Sequence, residues 1–241
     1  MTDSNKIDKI LNAAEEIMFE KGLSSNISEI AAKAQVQDSI IYNYFKGKED
    51  LLFSIPKREM TNILKAYLPE QLQGILDPIS RLSKMIWAHL HFNDTHRGYN
   101  RLLLFECRSN KNFYQHEAYF LIRQYANILK NILKDGVKEK LFRADINLNL
   151  VRDIIFGTLD WEVLCCITTT EVKEIVLDFE DILDLILPII KIPTKPANIE
   201  LDKSRRILQA AETMFAEKGY NQATISEIAE LSCVSEGTIY E

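Results

Sequence analysis

Twelve residues near the start, QDSIIYNYFKGK at 37–48, hold side chains suited to recognition chemistry. Gln, Asp, Ser and Asn present donors and acceptors to base edges, while Tyr and Lys reach phosphate oxygens. Read as the opening of a helix, the stretch turns Gln37, Asp38 and Ser39 toward base edges, with Ile40 and Asn43 in the same contact set. Tyr42 and Lys46 then meet phosphates, helped by the positive end of the helix starting near Lys48. Asn26, at the start of the preceding helix, completes the set. Catalytic patterns are missing: there is no Gly-rich phosphate loop and no Ser, His, Asp order suited to a hydrolase. His89, His91 and His96 lie close together. His89 and His91, two apart, do not share a helix face, and no acid or cysteine completes a metal set. Cys107, Cys165, Cys166 and Cys233 form no C-x-x-C pair, which fits reduced thiols in a cytoplasmic protein. No enzyme activity, metal or cofactor is expected.

Positioning those side chains falls to helices. The chain of 241 residues has only eight Gly and six Pro, and Leu, Ile, Lys, Glu and Ala run throughout. No stretch alternates polar and apolar persistently enough for a sheet, so the expected fold is all-α. Ile7, Ile10, Leu11, Ala14, Ile17 and Met18 repeat at three and four, giving a first helix over 7–21 that Gly22 stops. Asn26 and Glu29 read as a capping box for a short second helix, and a third follows over 37–45. A fourth begins in KGKEDLLFSI, with a kink or break expected near Ile55 because Pro56 follows. LPEQLQGILDP reads as a loop, with Asp77 and Pro78 as N-cap and first helical residue. Further helices are expected at 78–94, 98–109, 112–140, 147–169 and 171–191. No apolar run reaches the ~20 residues of a membrane helix.

KIPTKPANIELD, with two prolines in a polar stretch, reads as a linker. After it the opening pattern returns: RRILQAAETMFAEKGYNQATISEIAELSCVSEGTIYE repeats DKILNAAEEIMFEKGLSSNISEIAAKAQVQDSIIYN. The expected organisation is a helix-turn-helix reader at 1–50, a helical domain at 51–191, a linker at 192–202 and a second reader at 203–241. The second copy lacks a counterpart of the Tyr-Phe and Lys-Glu-Asp-Leu residues that follow the third helix in the first. It is therefore expected to be a partial reader in a shortened chain.

Three short helices with a tight turn describe either a helix-turn-helix or a plain three-helix bundle, and pattern alone leaves both open. The segment AAEEIMFEKG…ISEIAAKAQVQDSIIYNYFKGKEDLL resembles the DNA-binding domain of the TetR family of bacterial transcriptional regulators. The resemblance covers 7–53 and again 205–240. It implies that Thr224, Ser235, Glu236, Gly237, Thr238 and Tyr240 are the second copy's counterpart contact residues. The first copy departs from the family pattern: Leu23 stands for Tyr, Gln35 for the turn Gly, Ser39 for Gly and Ile40 for Thr. Ile40 thereby loses a hydroxyl donor. The second keeps Tyr220, Thr224, Gly237 and Thr238, with Cys233 at the turn Gly.

FECRSNKNF and YANILKNILKDGVKEKLFRADINLNLVRDIIFGTLD resemble the FadR-like branch of that family. The resemblance implies a middle domain that binds a long-chain acyl-CoA and forms a homodimer. An acyl-CoA needs an apolar tunnel for its tail and cations for its phosphates. Phe105, Phe120, Ile128, Ile132 and Phe156 are candidates for the tunnel, and Arg101, Arg108 and Arg123 for the phosphates. Val172, Ile175, Phe179, Ile182, Ile186 and Ile189 make a seam at three and four that pairs within the subunit or across a dimer. Gly157 and Thr158 on the preceding helix allow close approach. The resemblance favours a two-fold four-helix interface from these two helices, to which Val151 also belongs.

The function these readings favour is a ligand-responsive regulator, a repressor released from operator DNA by a hydrophobic effector. Its partners are operator DNA, the effector and a second copy of the chain, with no membrane. The rival is a helical dimeric interaction module whose reader has lost DNA binding. Net charge is −6, and the first 50 residues carry nine acids against six Lys and no Arg. That weakens the electrostatic part of DNA affinity, and weak or salt-sensitive binding is expected from this copy alone.

Overall fold

The computed structural model describes residues 3–169, 174–192, 203–220 and 222–240, and among them every named element is helical. The fold is all-α. The chain divides into two compact units, one ending at Ile192 and one beginning at Pro193.

In the first unit, α1 (Asp3–Lys21) buries Ile10, Leu11, Ala13, Ala14 and Met18 on one stripe. It ends at Gly22, whose φ of 55° suits glycine. α2 (Ile27–Ala34) opens on a full capping box between Asn26 and Glu29. Gln35 then turns the chain with φ 57°, a left-handed position that a side chain occupies only at some cost. α3 (Asp38–Tyr44) follows, with Ile41 as its buried anchor.

α4 (Lys48–Asn62) runs through Pro56 without a break. Leu51, Leu52, Phe53, Ile55, Pro56 and Met60 are all buried on it. Burial of that many side chains exceeds the ~3 kcal/mol that an interior proline costs. A π-helical turn (Ile63–Tyr67) carries the helix into α5 (Leu68–Leu72), where the sequence suggested a loop. Pro69 falls in the first turn of α5, a position that tolerates a missing N–H.

α6 (Pro78–Thr95) begins as expected, with the Asp77 carboxylate accepting from the Ile79 and Ser80 N–H groups. α7 (Arg97–Arg101) passes into a second π-helical turn, Leu102–Cys107, and a 3₁₀ turn spans Lys111–Gln115. α8 (Glu117–Lys138) carries Gly136 where the Phe142 ring packs on it; a Cβ there would stand 2.1 Å from the ring. α9 (Leu148–Thr168) is capped by Asn147. The last helix of the unit, α10 (Phe179–Ile190), starts later than expected, after a 3₁₀ turn at Ile175–Asp178. The Asp94 carboxylate of α6 fixes that turn by accepting from the Ile175 and Val176 N–H groups at 3.0 and 2.9 Å. Val172 of the proposed seam and residues 193–202 of the proposed linker lie outside the described residues.

The second unit repeats the reader: α11 (Lys203–Lys218), α12 (Ile225–Ser232) and α13 (Glu236–Ile239). Thr224 caps α12 in a box with Glu227, and Cys233 takes the left-handed turn with φ 54°. Its core is thinner. Leu208 is 63 % and Phe215 38 % exposed, where their counterparts Leu11 and Met18 are 4 % and 1 % exposed.

Candidate nucleic-acid interface and effector cavity

On α3 the burial of Ile41 turns Asp38, Ser39, Tyr42 and Asn43 outward, with Tyr42 58 % exposed. Gln37, its N-cap, is exposed as well, while Ile40 is half-buried against the core. Beside this surface lies a polar notch formed by 24–28, Asp38, Tyr42 and Lys48. Lys48 donates from Nζ to the Ser25 carbonyl at 3.0 Å, and the buried Ser25 Oγ has no partner. The notch sits at the N-terminus of α2, where the helix dipole favours an anion, although the Asn26–Glu29 capping box already takes up the Ser28 and Asn26 N–H groups. A hydroxyl, an ammonium and a helix end there can hold a phosphate oxygen. Lys46 is exposed at the same end. The other cations are partly spent: Lys6, Lys21 and Lys33 pair with Asp3, Glu29 and Glu16. Asp38 accepts a hydrogen bond from Ser28, which keeps an acid at the leading end of α3.

The helical domain encloses a cavity of about 420 Å³. Met60, Ile63, Leu68, Phe92, Leu103, Phe156 and Val163 supply apolar wall from α4, α5, α6, α9 and the two π-helical turns. Arg123, Asn127 and Asp153 line it and are also exposed, so they mark its mouth. Arg152 pairs there with Asp153 at 2.7 Å. Deeper polarity comes from His89, Tyr67, Asn93, Tyr125 and the ion pair of Arg108 with Asp160 at 2.6 Å. Burial holds His89 neutral by pushing its pKa down to about 4, against a smaller opposing pull from Asp160.

α4 connects the two sites. Its N-terminal end is gripped by Asn110 and Asn112, which donate to the Glu49 carboxylate at 2.9 and 3.0 Å and hold it below the usual carboxylate range. His116 meets Asp50 at 3.3 Å and Lys57 meets Glu117 at 2.6 Å. Arg58 ties α4 to α1 through Glu15 at 2.8 Å and Asn12 at 2.7 Å. Met60, one turn further along, lines the cavity. At the other join, Gly22 abuts the second π-helical turn; a Cβ there would lie 2.5 Å from the Glu106 carboxylate.

The family model described as "Bacterial regulatory proteins, tetR family" matches residues 10–55 and again 207–241. That described as "YsiA-like protein, C-terminal region" matches 57–188, more than half of the chain. The chain belongs to the TetR family. It is 27 % identical over 183 residues to the fatty acid metabolism regulator protein of Bacillus subtilis, covering 76 % of this chain and 94 % of that protein. A crystal structure of the transcriptional regulator FadR from Bacillus subtilis in complex with stearoyl-CoA superposes with a TM-score of 0.69 at 28 % identity. That match covers 75 % of this chain and 97 % of the other. The fatty acid degradation regulator FadR from Bacillus halodurans shares the fold, with a TM-score of 0.70 at 24 % identity over 78 % of this chain and 97 % of its own. This TetR protein is accordingly a helix-turn-helix transcription regulator of ligand-responsive kind.

In this TetR protein the expected reader residues Asn26, Asp38, Tyr42 and Lys48 meet at the notch, together with Ser25, which the sequence reading passed over. Ser39, Asn43 and Lys46 are exposed near it. In the second reader Thr224 is a cap, Ser235, Glu236, Gly237 and Tyr240 are exposed, and Thr238 shares a hydrogen bond with Ser235 at 2.9 Å.

Of the expected effector residues, Arg108, Arg123 and Phe156 line the cavity. The other five lie elsewhere. Ile132 is fully buried in the core and Ile128 packs against it. Phe120 and Phe105 are exposed, and Arg101 lies over the Phe19 and Phe105 rings. None of these five lines the cavity. The seam divides similarly. Val151, Ile175, Ile182 and Ile186 are buried within their own subunit, and Phe179 packs half-buried against that core. Gly157 is open, with nothing within 4 Å of a built Cβ, and Thr158 is half-buried. The apolar residues left outward are Leu150, Ile154 and Trp161 on α9 and Leu185 and Ile189 on α10. Spacing at three and four shows that a helix has a stripe, but a helix with two apolar stripes needs the packed structure to tell inner from outer.

Proposed function

We propose that this protein is a cytoplasmic, homodimeric repressor that binds operator DNA through α3 and the notch beside it, and leaves it when a long-chain acyl-CoA enters the cavity. The observation that carries the effector is the apolar cavity with arginines at its mouth, in a fold shared with a stearoyl-CoA-bound relative. Its volume lies within the ~300–1,000 Å³ of ordinary ligand pockets and suits an acyl tail, with the nucleotide end outside against Arg123 and Arg152. The dimer forms through the outward rows of α9 and α10, where Gly157 allows a partner helix to come close.

Release follows from α4, whose reader end is clasped by the 110–117 segment and whose far end forms cavity wall. A ligand that fits one position of α4 better than another shifts the population toward it, by as much as its affinities for the two positions differ. Two α3 helices about 34–36 Å apart fit successive turns of the major groove, and a changed separation breaks that fit.

Native mass spectrometry of the purified protein is expected to show a co-purified acyl-CoA. Added stearoyl-CoA, and not free CoA, is expected to lower the fraction bound to duplex DNA. DNA occupancy that ignores saturating stearoyl-CoA removes the effector while leaving the regulator. The acidic reader favours one rival, an interaction module without DNA binding, and failure to bind random duplex at any salt concentration would establish it.

A further inference from the structure

His89 is a wall residue with unfinished hydrogen bonding. It lies in the middle of α6, lines the cavity, and meets the Tyr125 hydroxyl through Nδ1 at 3.1 Å. Nε2 is buried and has no partner. Polar neighbours are committed elsewhere: Tyr67 donates to the Ala88 carbonyl, Asn93 to the His89 carbonyl, and Arg108 to Asp160.

The bond to Tyr125 settles the tautomer. A neutral imidazole carries one N–H. Were it on Nδ1, the Tyr125 hydroxyl would accept and its own proton would be stranded, along with the Nε2 lone pair. With Tyr125 donating to Nδ1, a single group is left over, the Nε2–H donor. A buried donor without an acceptor is destabilising, and a ligand oxygen relieves that. The ring is held in place for it: Tyr125 fixes one edge, and the Phe156 ring lies 5.6 Å away between centroids at a tilt of 59°. Nε2 is shielded from solvent, so a ligand oxygen reaches it only with a shift of the side chains around it.

We infer that the His89 Nε2–H is the polar anchor of the cavity, donating to the carbonyl oxygen of the acyl thioester and selecting acyl over plain alkyl ligands. This rests on the acyl-CoA reading above and adds to it a specificity-determining residue. A neutral donor in an enclosed site suits a neutral carbonyl, and the neighbouring Arg108 is already balanced by Asp160. An alkyl chain without the carbonyl fills the same space and leaves the donor stranded.

The test compares stearoyl-CoA with S-octadecyl-CoA, the thioether in which CH₂ replaces the carbonyl, by calorimetric titration. Wild type is expected to bind the thioester on the order of tenfold more tightly, the worth of one enclosed hydrogen bond. His89→Leu is expected to erase the difference. His89→Gln, whose amide N–H lies near the Nε2 position, is expected to restore part of it. Tyr125→Phe, which frees the ring, is expected to reduce it. Equal binding of the two ligands by wild type, which needs no variant to fold, overturns the anchor and leaves the acyl-CoA reading intact. So does a difference that persists in His89→Leu. Binding of neither ligand by wild type brings down the acyl-CoA reading and the anchor together.

Discussion

His89 also links the cavity to stability. Its pKa falls from the ordinary 6.5 to about 4 because burial disfavours the charged ring, with Asp160 opposing and Arg108 assisting. The unfolded chain therefore takes up a proton below about pH 6.5 that the folded chain refuses until about pH 4. Stability contributed this way is complete above pH 6.5 and is lost as pH falls through that window, by at most roughly 3 kcal/mol. Denaturant titrations from pH 7.5 down to 4.5 are expected to show the loss in wild type and a shallower one in His89→Gln. Equal pH slopes in the two proteins would show that His89 is not held neutral. Little of this was legible in the sequence. HLHFNDTH shows three histidines and excludes a shared face for His89 and His91, but it does not show that Tyr125, 36 residues away, completes the environment of His89. Arg108 and Phe156 were legible because the branch resemblance singled out their segments; Arg123 lies just before the second segment and was a candidate as a cation, whereas Tyr125 and Arg152, inside that segment, carried no local sign of a cavity role.

At the scale of elements, α9 has two faces of similar apolarity. Val151, Ile155, Leu159 and Val163 repeat every four residues and are buried, and Leu150, Ile154 and Trp161 follow the neighbouring row and are exposed. Caps and stops were readable because each rests on one or two local residues: the Asn26–Glu29 box, the Asp77–Pro78 start and the Gly22 stop. Passage through Pro56 was not, since the packing of α4 against the rest of the domain decides it. The outer row of α9 has a definite consequence. Trp161 is 62 % exposed in the subunit, and a large aromatic in such a row is a typical energetic hot spot. Trp161→Ala is expected to weaken the dimer by about 2 kcal/mol or more, roughly thirtyfold in dissociation constant. Sedimentation equilibrium reads this directly. A wild-type protein that stays monomeric at tens of micromolar, or a variant that dimerises equally well, would move the interface away from α9.

For the whole molecule, the question is how a chain of net charge −6 holds a polyanion. Its reader brings few unspent cations, so affinity depends on where they stand. Lys48 is half-buried at the notch, fixed by the Ser25 carbonyl, and lies beside the N-terminus of α2, whose dipole favours the same anion. A fixed lysine of this kind loses little freedom on binding and contributes one released counterion. Log affinity for duplex DNA should then fall linearly with log salt, with a slope of about −0.9 per phosphate neutralised. Replacing Lys48 by Ala is expected to make that slope shallower by about 1 and to weaken specific and random duplexes alike. Asn43→Ala, on the outward face of α3, should leave the slope unchanged and relax sequence preference instead, because a neutral amide reads base edges and releases no ion. Fluorescence anisotropy across 50–200 mM salt distinguishes the two variants. If Lys48→Ala keeps the wild-type slope, the notch is not a phosphate seat, and the reader must hold DNA through Lys46 and the N-terminal end of α3 without it.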